Sequence, residues 1–126
     1  MVVYNLTYDS KGRVVATSIG DERGTVSHRF TSEFDDSNRI IKSISYEYDT
    51  ASASLISRSV STYKKGGLVQ TYSHYDPRGR LRWKETTTRE LDGRGNWITE
   101  RRVMELYDEG PPRSFTIIKR RKINYY

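Results

Sequence analysis

The heptapeptide Tyr75-Asp76-Pro77-Arg78-Gly79-Arg80-Leu81 decides the fold, because it encodes a tight turn between two strand-like segments. An aspartate at the start of a turn can accept hydrogen bonds from backbone amides further on, and glycine adopts the positive φ that such a turn needs. The same pattern recurs as Tyr8-Asp9-Ser10-Lys11-Gly12-Arg13-Val14. Two good copies of one turn predict a chain of repeated β-hairpins.

Weaker copies of this turn extend the repeat along the chain. Asn replaces Gly in Phe34-Asp35-Asp36-Ser37-Asn38-Arg39-Ile40, and the ends are altered in Leu91-Asp92-Gly93-Arg94-Gly95-Asn96-Trp97. Degenerate turns stand at 20–24, 48–53, 63–68 and 107–112, and the segments between them are rich in Thr, Val, Ile, Ser and Tyr. This spacing predicts nine strands, near 2–8, 13–19, 25–34, 39–48, 55–63, 68–75, 80–91, 96–107 and 113–125.

The composition bounds the size of the domain and of its core. A length of 126 residues fits one domain, 1–126, and 34% hydrophobic against 30% charged residues indicates a thin core. We therefore predict an all-β fold, an antiparallel β-meander of about nine hairpin-linked strands that is strongly twisted. A flat sheet would leave its apolar face uncovered, so we expect it to curl into an open barrel or to associate with a second copy.

The register between predicted strands places one apolar stripe on a single face. Closing 92–95 as a four-residue loop pairs Trp83 with Met104 and Leu81 with Leu106. The same count puts Tyr72 beside Trp83, and the following strand adds Ile117. A slip of one residue would scatter these side chains over both faces, so the coherence supports a meander. The full predicted stripe is Tyr72, His74, Leu81, Trp83, Glu85, Arg102, Met104, Leu106, Phe115 and Ile117.

The Tyr-Asp-x-x-Gly-Arg motif at Tyr8–Arg13 and Tyr75–Arg80 resembles the tyrosine–aspartate (YD) repeats of the Rhs family. The segment 92–97 and the Lys-rich ending in Asn124-Tyr125-Tyr126 are similar to small cell-envelope proteins of Bacteroides-type bacteria that carry such repeats. The resemblance implies that the repeats are scaffold and that the location is extracellular or periplasmic, in the cell envelope. Large members of the family form a shell around a toxin, for which this chain is too short.

Catalysis is not expected, and neither is a cofactor or a metal. The chain has no Cys, and its two histidines, His28 and His74, are far apart in sequence. The acidic pairs Asp35-Asp36 and Asp108-Glu109 fall in predicted turns, where Asp is explained by backbone bonding. One carboxylate per turn is too few for calcium, which takes about six to eight oxygen ligands. No leader segment or membrane-spanning apolar run is visible, so we expect no membrane insertion.

The charge is uneven, since residues 1–63 carry 7 Lys/Arg against 8 Asp/Glu and residues 64–126 carry 15 against 8. Basic strands with interleaved aromatics can hold single-stranded nucleic acid, which is the alternative function. Against it, a contiguous basic run such as 119–122 alternates between the two faces of a strand, and Trp83 points away from Arg82. The basic candidates are Arg78, Arg80, Arg82 and Lys84, predicted to share one strand face.

The preferred function is a non-enzymatic structural or binding module of an Rhs-like envelope or secreted protein, with a protein or carbohydrate ligand. Exposed aromatic side chains on a sheet provide large contact area at a low cost in conformational entropy. Tyr72, Trp83 and Trp97 are the aromatic candidates, with Trp97 predicted on the face opposite Trp83.

Overall fold

The structure, a computed structural model, describes residues 1–107 and 110–126 and confirms an all-β antiparallel meander. Nine strands form one sheet in the order of the sequence, each hydrogen-bonded to the next. A single 3₁₀ turn, Lys65–Gly67, is the only helical element in the described part of the chain. The strands are β1 Val2–Tyr8, β2 Val14–Asp21, β3 Val26–Phe34, β4 Ile40–Tyr48, β5 Leu55–Lys64, β6 Val69–Tyr75, β7 Leu81–Leu91, β8 Trp97–Leu106 and β9 Arg113–Arg120.

The sheet is open, because β1 and β9 lie at its two edges and make no contact with each other. The sheet is not closed into a barrel, which is consistent with the open form that we expected. Among the described residues no hydrophobic side chain is buried, and only Ser73, Thr87 and Glu100 are buried at all. The composition predicted a thin core, and the described residues instead form an exposed sheet without a hydrophobic core.

Five aspartates close their hairpins in the same way. In the first copy, Asp9 Oδ1 accepts hydrogen bonds from the amides of Lys11 and Arg13, at 2.9 and 3.0 Å. The Asp9 amide donates to the Arg13 carbonyl, so residue i+4 belongs to the turn. The residue before it, Gly12, has φ +76°, as the motif predicted. The other four turns start at Asp21, Asp35, Asp76 and Asp92.

Each of these turns is followed by a register shift, which corrects the predicted pairing. Beyond the Asp92 turn, Leu91 pairs with Trp97 and Glu90 pairs with Thr99, so Ile98 is an extra residue in β8. The five-residue turn and the extra residue together move every later pair by two positions. Trp83 consequently lies opposite Leu106, whereas the four-residue loop had placed it opposite Met104. A shift of two residues preserves the face, so the stripe survives the wrong register.

The predicted stripe therefore lies on one face, which we call the Trp83 face. Register pairs place on it Tyr72, His74, Trp83, Glu85, Arg102, Met104, Leu106, Phe115 and Ile117, and also Val2, Tyr4 and Leu6 of β1. Leu81 is the exception, because an extra residue at Arg82 puts it opposite Tyr75. The opposite side, the Lys84 face, carries Asn5, Tyr46, Ser73, Lys84 and Thr116.

The last strand is shorter than predicted, because β9 ends at Arg120. The Arg121 amide still donates to the Ile98 carbonyl at 2.9 Å, and the segment 122–126 leaves the sheet. The Arg121 guanidinium lies 4.0 Å from the centre of the Trp97 ring and donates to the Trp97 carbonyl. These contacts direct the terminal segment back across the Asp92 turn.

Candidate binding site

Three rings stack in the middle of the Trp83 face. Tyr72 on β6 lies 4.9 Å from Trp83 on β7, measured between ring centres, with an angle of 29° between the planes. His74, two residues along β6, lies 5.8 Å from the same indole between ring centres, with 20° between the planes. The rings meet because His74 is the direct register partner of Trp83 and Tyr72 is a diagonal neighbour.

Hydrogen bonds to β5 fix the two β6 rings. Ser59 Oγ lies 3.1 Å from His74 Nδ1 and accepts a hydrogen bond of 2.9 Å from the Tyr72 hydroxyl. A single serine therefore orients both rings, and His74 is a satisfied cross-strand histidine, as predicted. Rings held in this way lose little further freedom when a ligand packs against them.

A shallow cleft of about 340 Å³ opens beside the ring stack. Its floor is apolar where the Tyr72 and Trp83 rings lie, and Tyr72 remains 37% exposed. Hydroxyl, amide and carboxylate groups surround the rings on the neighbouring strands. The lining residues are Ser61, Tyr63, Gln70, Thr71, Tyr72, Trp83, Glu85 and Thr87. Such a cleft presents stacking surface in the centre and polar groups around it, which suits a ligand with both kinds of surface.

A buried carboxylate lies on the Trp83 face, beside the edge strand β9. Glu100 on β8 is only 4% exposed, and Arg89 Nη2 lies 2.9 Å from its Oε1. Arg102 Nε and Lys119 Nζ lie 3.3 and 4.0 Å from its Oε2. Burial raises the pKa of Glu100, but the hydrogen bond from Arg89 and the charges of Arg102, Arg89 and Lys119 outweigh it and lower the pKa.

The basic candidates do not form the predicted stripe. Arg78 and Arg80 belong to the turn, and the guanidinium of Arg80 pairs with Asp76 Oδ2 at 2.7 Å. Of the four, only Arg82 and Lys84 belong to β7, so the four side chains do not share one strand face. Lys84 itself lies opposite Glu105. Charge and stacked rings thus occupy different parts of the sheet.

Trp97 is not where the sequence placed it. It pairs with Leu91, which lies an even number of residues from Trp83 along β7, so Trp97 is on the Trp83 face near the end of the sheet. Its ring is covered by Arg121, and it does not line the cleft. Sequence reasoning also missed Tyr63, Gln70 and Glu85 as cleft residues, although the alternation of Tyr72 with Gln70 along β6 was a signal for one of them.

Other predicted features fall outside any site. His28 lies on β3 beside Phe30, and Asp35 is the turn aspartate of its hairpin. The acidic pair Asp108-Glu109 lies outside the described residues. Within 1–107 and 110–126, no group of three or more His, Asp or Glu side chains is placed to hold a metal ion. No helix in that part of the chain is long and apolar enough to cross a membrane.

Comparisons with known proteins add a distant structural likeness. No family model matches the chain, and no curated protein matches it. Among solved structures, the crystal structure of a DUF3836 family protein from Bacteroides vulgatus is similar, with 15% identity and a TM-score of 0.44. The match covers 64% of this chain and 87% of that one. At this level the likeness carries no argument about fold or function.

Proposed function

We propose that the protein is a non-enzymatic binding module of a cell-envelope or secreted Rhs-like protein, and that the ring stack on its Trp83 face binds carbohydrate. The observation that supports the proposal is the stack of Tyr72 and Trp83 beside the cleft lined by Ser61, Gln70 and Glu85. Sugars present apolar C–H faces that pack on aromatic rings and hydroxyls that bond to carboxylate, amide and hydroxyl groups.

Carbohydrate suits this cleft better than a protein ligand does. The cleft is shallow and its rings are flanked by hydrogen-bonding side chains, whereas protein interfaces centre on apolar cores that exclude water. The proposed envelope location rests on the YD-repeat resemblance alone. At that location the Trp83 face would meet polysaccharides of the cell surface.

A glycan array followed by fluorescence titration tests the proposal. The chain has two tryptophans, so Trp97→Phe leaves Trp83 as the sole indole reporter in the cleft. We expect a polysaccharide that the array identifies to change the fluorescence emission of Trp83 when it is added. In the same background Tyr72→Ala, which keeps the reporter, should weaken binding at least about tenfold, because it removes one ring of the stack.

The matched control is an aromatic pair on the Lys84 face. Tyr46 and Tyr48 stack at 6.5 Å between ring centres on β4, so Tyr46→Ala removes a ring of the same kind away from the cleft. The affinity of Tyr46→Ala for the polysaccharide should equal that of the native chain. A silent array, or equal loss from Tyr46→Ala and Tyr72→Ala, would refute carbohydrate binding by this face. A steep salt dependence for single-stranded DNA would favour the nucleic-acid alternative.

A further inference from the structure

The two edge strands of the sheet differ in how they are protected from pairing. Natural sheets protect edges with charged side chains, prolines or bulges, because an open edge is a template for another strand. β9 contains Arg113, Lys119 and Arg120 and is preceded by Pro111 and Pro112. β1, with the sequence Val-Val-Tyr-Asn-Leu-Thr-Tyr, has neither a charged residue nor a proline. The edge at β1 is therefore unprotected.

The side chains of β1 add an apolar surface to this open edge. Val2, Tyr4 and Leu6 lie on the Trp83 face and are 63%, 64% and 48% exposed. Polar positions such as Ser59 and Ser45 separate them from the stripe on β6 to β9, and no strand covers them on the outer side. A strand that pairs with β1 and carries apolar side chains on the same face would cover them.

We infer that β1 pairs with β1 of a second copy of this chain, antiparallel and about a two-fold axis perpendicular to the sheet. Such an axis reverses the strand direction and keeps the Trp83 face of both copies on the same side. Centred on Asn5, the pairing joins all seven residues of β1 and sets Tyr4 opposite Leu6 of the partner. The apolar side chains of the two β1 strands then form one patch across the junction, in a sheet of twice the width.

Strand direction and charge exclude the other edge pairings. In a meander of nine strands β1 and β9 run the same way, so β9 beside β1 of the next copy would be parallel if the faces matched. All eight pairings in this sheet are antiparallel, and antiparallel pairs are the more stable. Pairing of β9 with β9 would bring Lys119 and Arg120 towards the partner's Arg113, with mutual repulsion.

The first test is light scattering over a concentration series, with one charge introduced at each edge. A seven-residue strand pair is a small interface, so we expect a dimer that forms progressively as concentration rises. Tyr4→Lys puts a charge into the proposed junction and should leave only monomer. Phe115→Lys puts the same charge on the same face of β9, where Phe115 is 50% exposed, and should leave the dimer intact. Far-UV circular dichroism checks that both variants fold.

The second test uses the absence of native cysteine. Asn5→Cys places a lone thiol on the two-fold axis, opposite its own copy, at a Cα separation that a disulfide can span. It should form a covalent dimer on mild oxidation. Thr116→Cys, in the middle of β9 on the same face as Asn5, should not. Monomer at every concentration, a dimer that survives Tyr4→Lys, or equal cross-linking of both cysteine variants would overturn the inference.

Discussion

The Tyr125 hydroxyl donates a hydrogen bond to Asp92 Oδ2, across 33 positions of sequence. In the turns at Asp9, Asp35 and Asp76 this oxygen binds the Nε of an arginine at position i+4, at 2.7 to 2.9 Å. The Asp92 turn has Asn96 there, and Asn96 Nδ2 donates to the same Tyr125 oxygen at 2.8 Å. The terminal segment thus supplies the partner that this copy of the motif lacks.

Tyr125→Phe should release the terminal segment without unfolding the sheet. The hydrogen bond to Asp92 raises the pKa of Tyr125, since it stabilises the protonated phenol, so the variant should lack a late component of the alkaline tyrosine titration. Amide hydrogen exchange of residues 121–126 should become faster. Tyr126→Phe alters a fully exposed ring and is the control. Unchanged amide exchange in Tyr125→Phe would show that the hydrogen bond from Tyr125 to Asp92 does not hold the terminal segment.

The turn motif made most of the fold predictable, because each repeat combines an aspartate acceptor with a residue of positive φ. Nine strands, their order and the face of the stripe followed from it. The register did not, because nothing in the alternation of residues shows that the amide at i+4 also bonds to the aspartate, or that an extra residue follows. The end of β9 was missed for a different reason: the contacts of Arg121 and Tyr125 are made with residues distant in sequence.

The candidate site was only partly predictable. Period-two alternation placed Tyr72, His74 and Trp83 on one face, and the error of two residues in register left that intact. The predicted pairing of Tyr72 with Trp83 was wrong, because Tyr72 pairs with Glu85 and meets Trp83 only as a diagonal neighbour. The orienting role of Ser59 depends on a third strand. Leu81 was misplaced because the bulge at Arg82 reverses the alternation where it occurs.

The Asp turns predict a loss of stability in acid. Hydrogen bonds from backbone amides are the main cause that lowers the pKa of Asp9, Asp35 and Asp76 in the folded chain. Carboxylates with a lowered folded pKa stabilise the fold fully above their unfolded pKa, about 3.9, and lose that contribution as pH falls through the folded value. The urea midpoint should therefore be lower near pH 3 than at neutral pH.

A single turn can be removed from this acid response. Asp76→Asn keeps an oxygen that accepts amide bonds but loses the charge that pairs with Arg80. The variant should be less stable than the native chain at neutral pH, and the difference between them should narrow as the pH falls below about 4. A difference that stays constant with pH would contradict the assigned role of the Asp76 carboxylate.

Two glycines in equivalent hairpins should respond oppositely to alanine. Gly79 has φ +82°, a left-handed conformation that costs an alanine about 1–2 kcal/mol, although no atom lies within 4 Å of its added Cβ. Gly93 also has open space around it, but its φ is outside that region. Gly79→Ala should lower the free energy of unfolding, whereas Gly93→Ala should leave it unchanged or raise it by about 0.4–1 kcal/mol.

Urea denaturation of the two variants separates backbone strain from crowding. Both substitutions add one methyl group to an exposed turn, so a steric effect would be equally small in both. Gly79→Asn should recover part of the loss, because asparagine tolerates positive φ, as Asn38 at +60° shows in the Asp35 turn. Equal destabilisation by Gly79→Ala and Gly93→Ala would mean that the turn does not depend on the positive φ of residue 79.

The buried Glu100 should be the most sensitive polar position of the sheet. Glu100→Gln keeps the shape but removes the charge that Arg89, Arg102 and Lys119 approach. Three cations would then face each other across β7, β8 and β9 with no carboxylate at the centre of the cluster, and we expect a loss of about 1–3 kcal/mol in the free energy of unfolding. Glu105→Gln, on the Lys84 face of β8, changes the same charge outside this cluster and should cost much less.

Because added salt screens repulsion among the three cations, it should restore part of the Glu100→Gln loss. Equal losses in the two variants, or no recovery with salt, would indicate that Glu100 acts through packing and not through its charge.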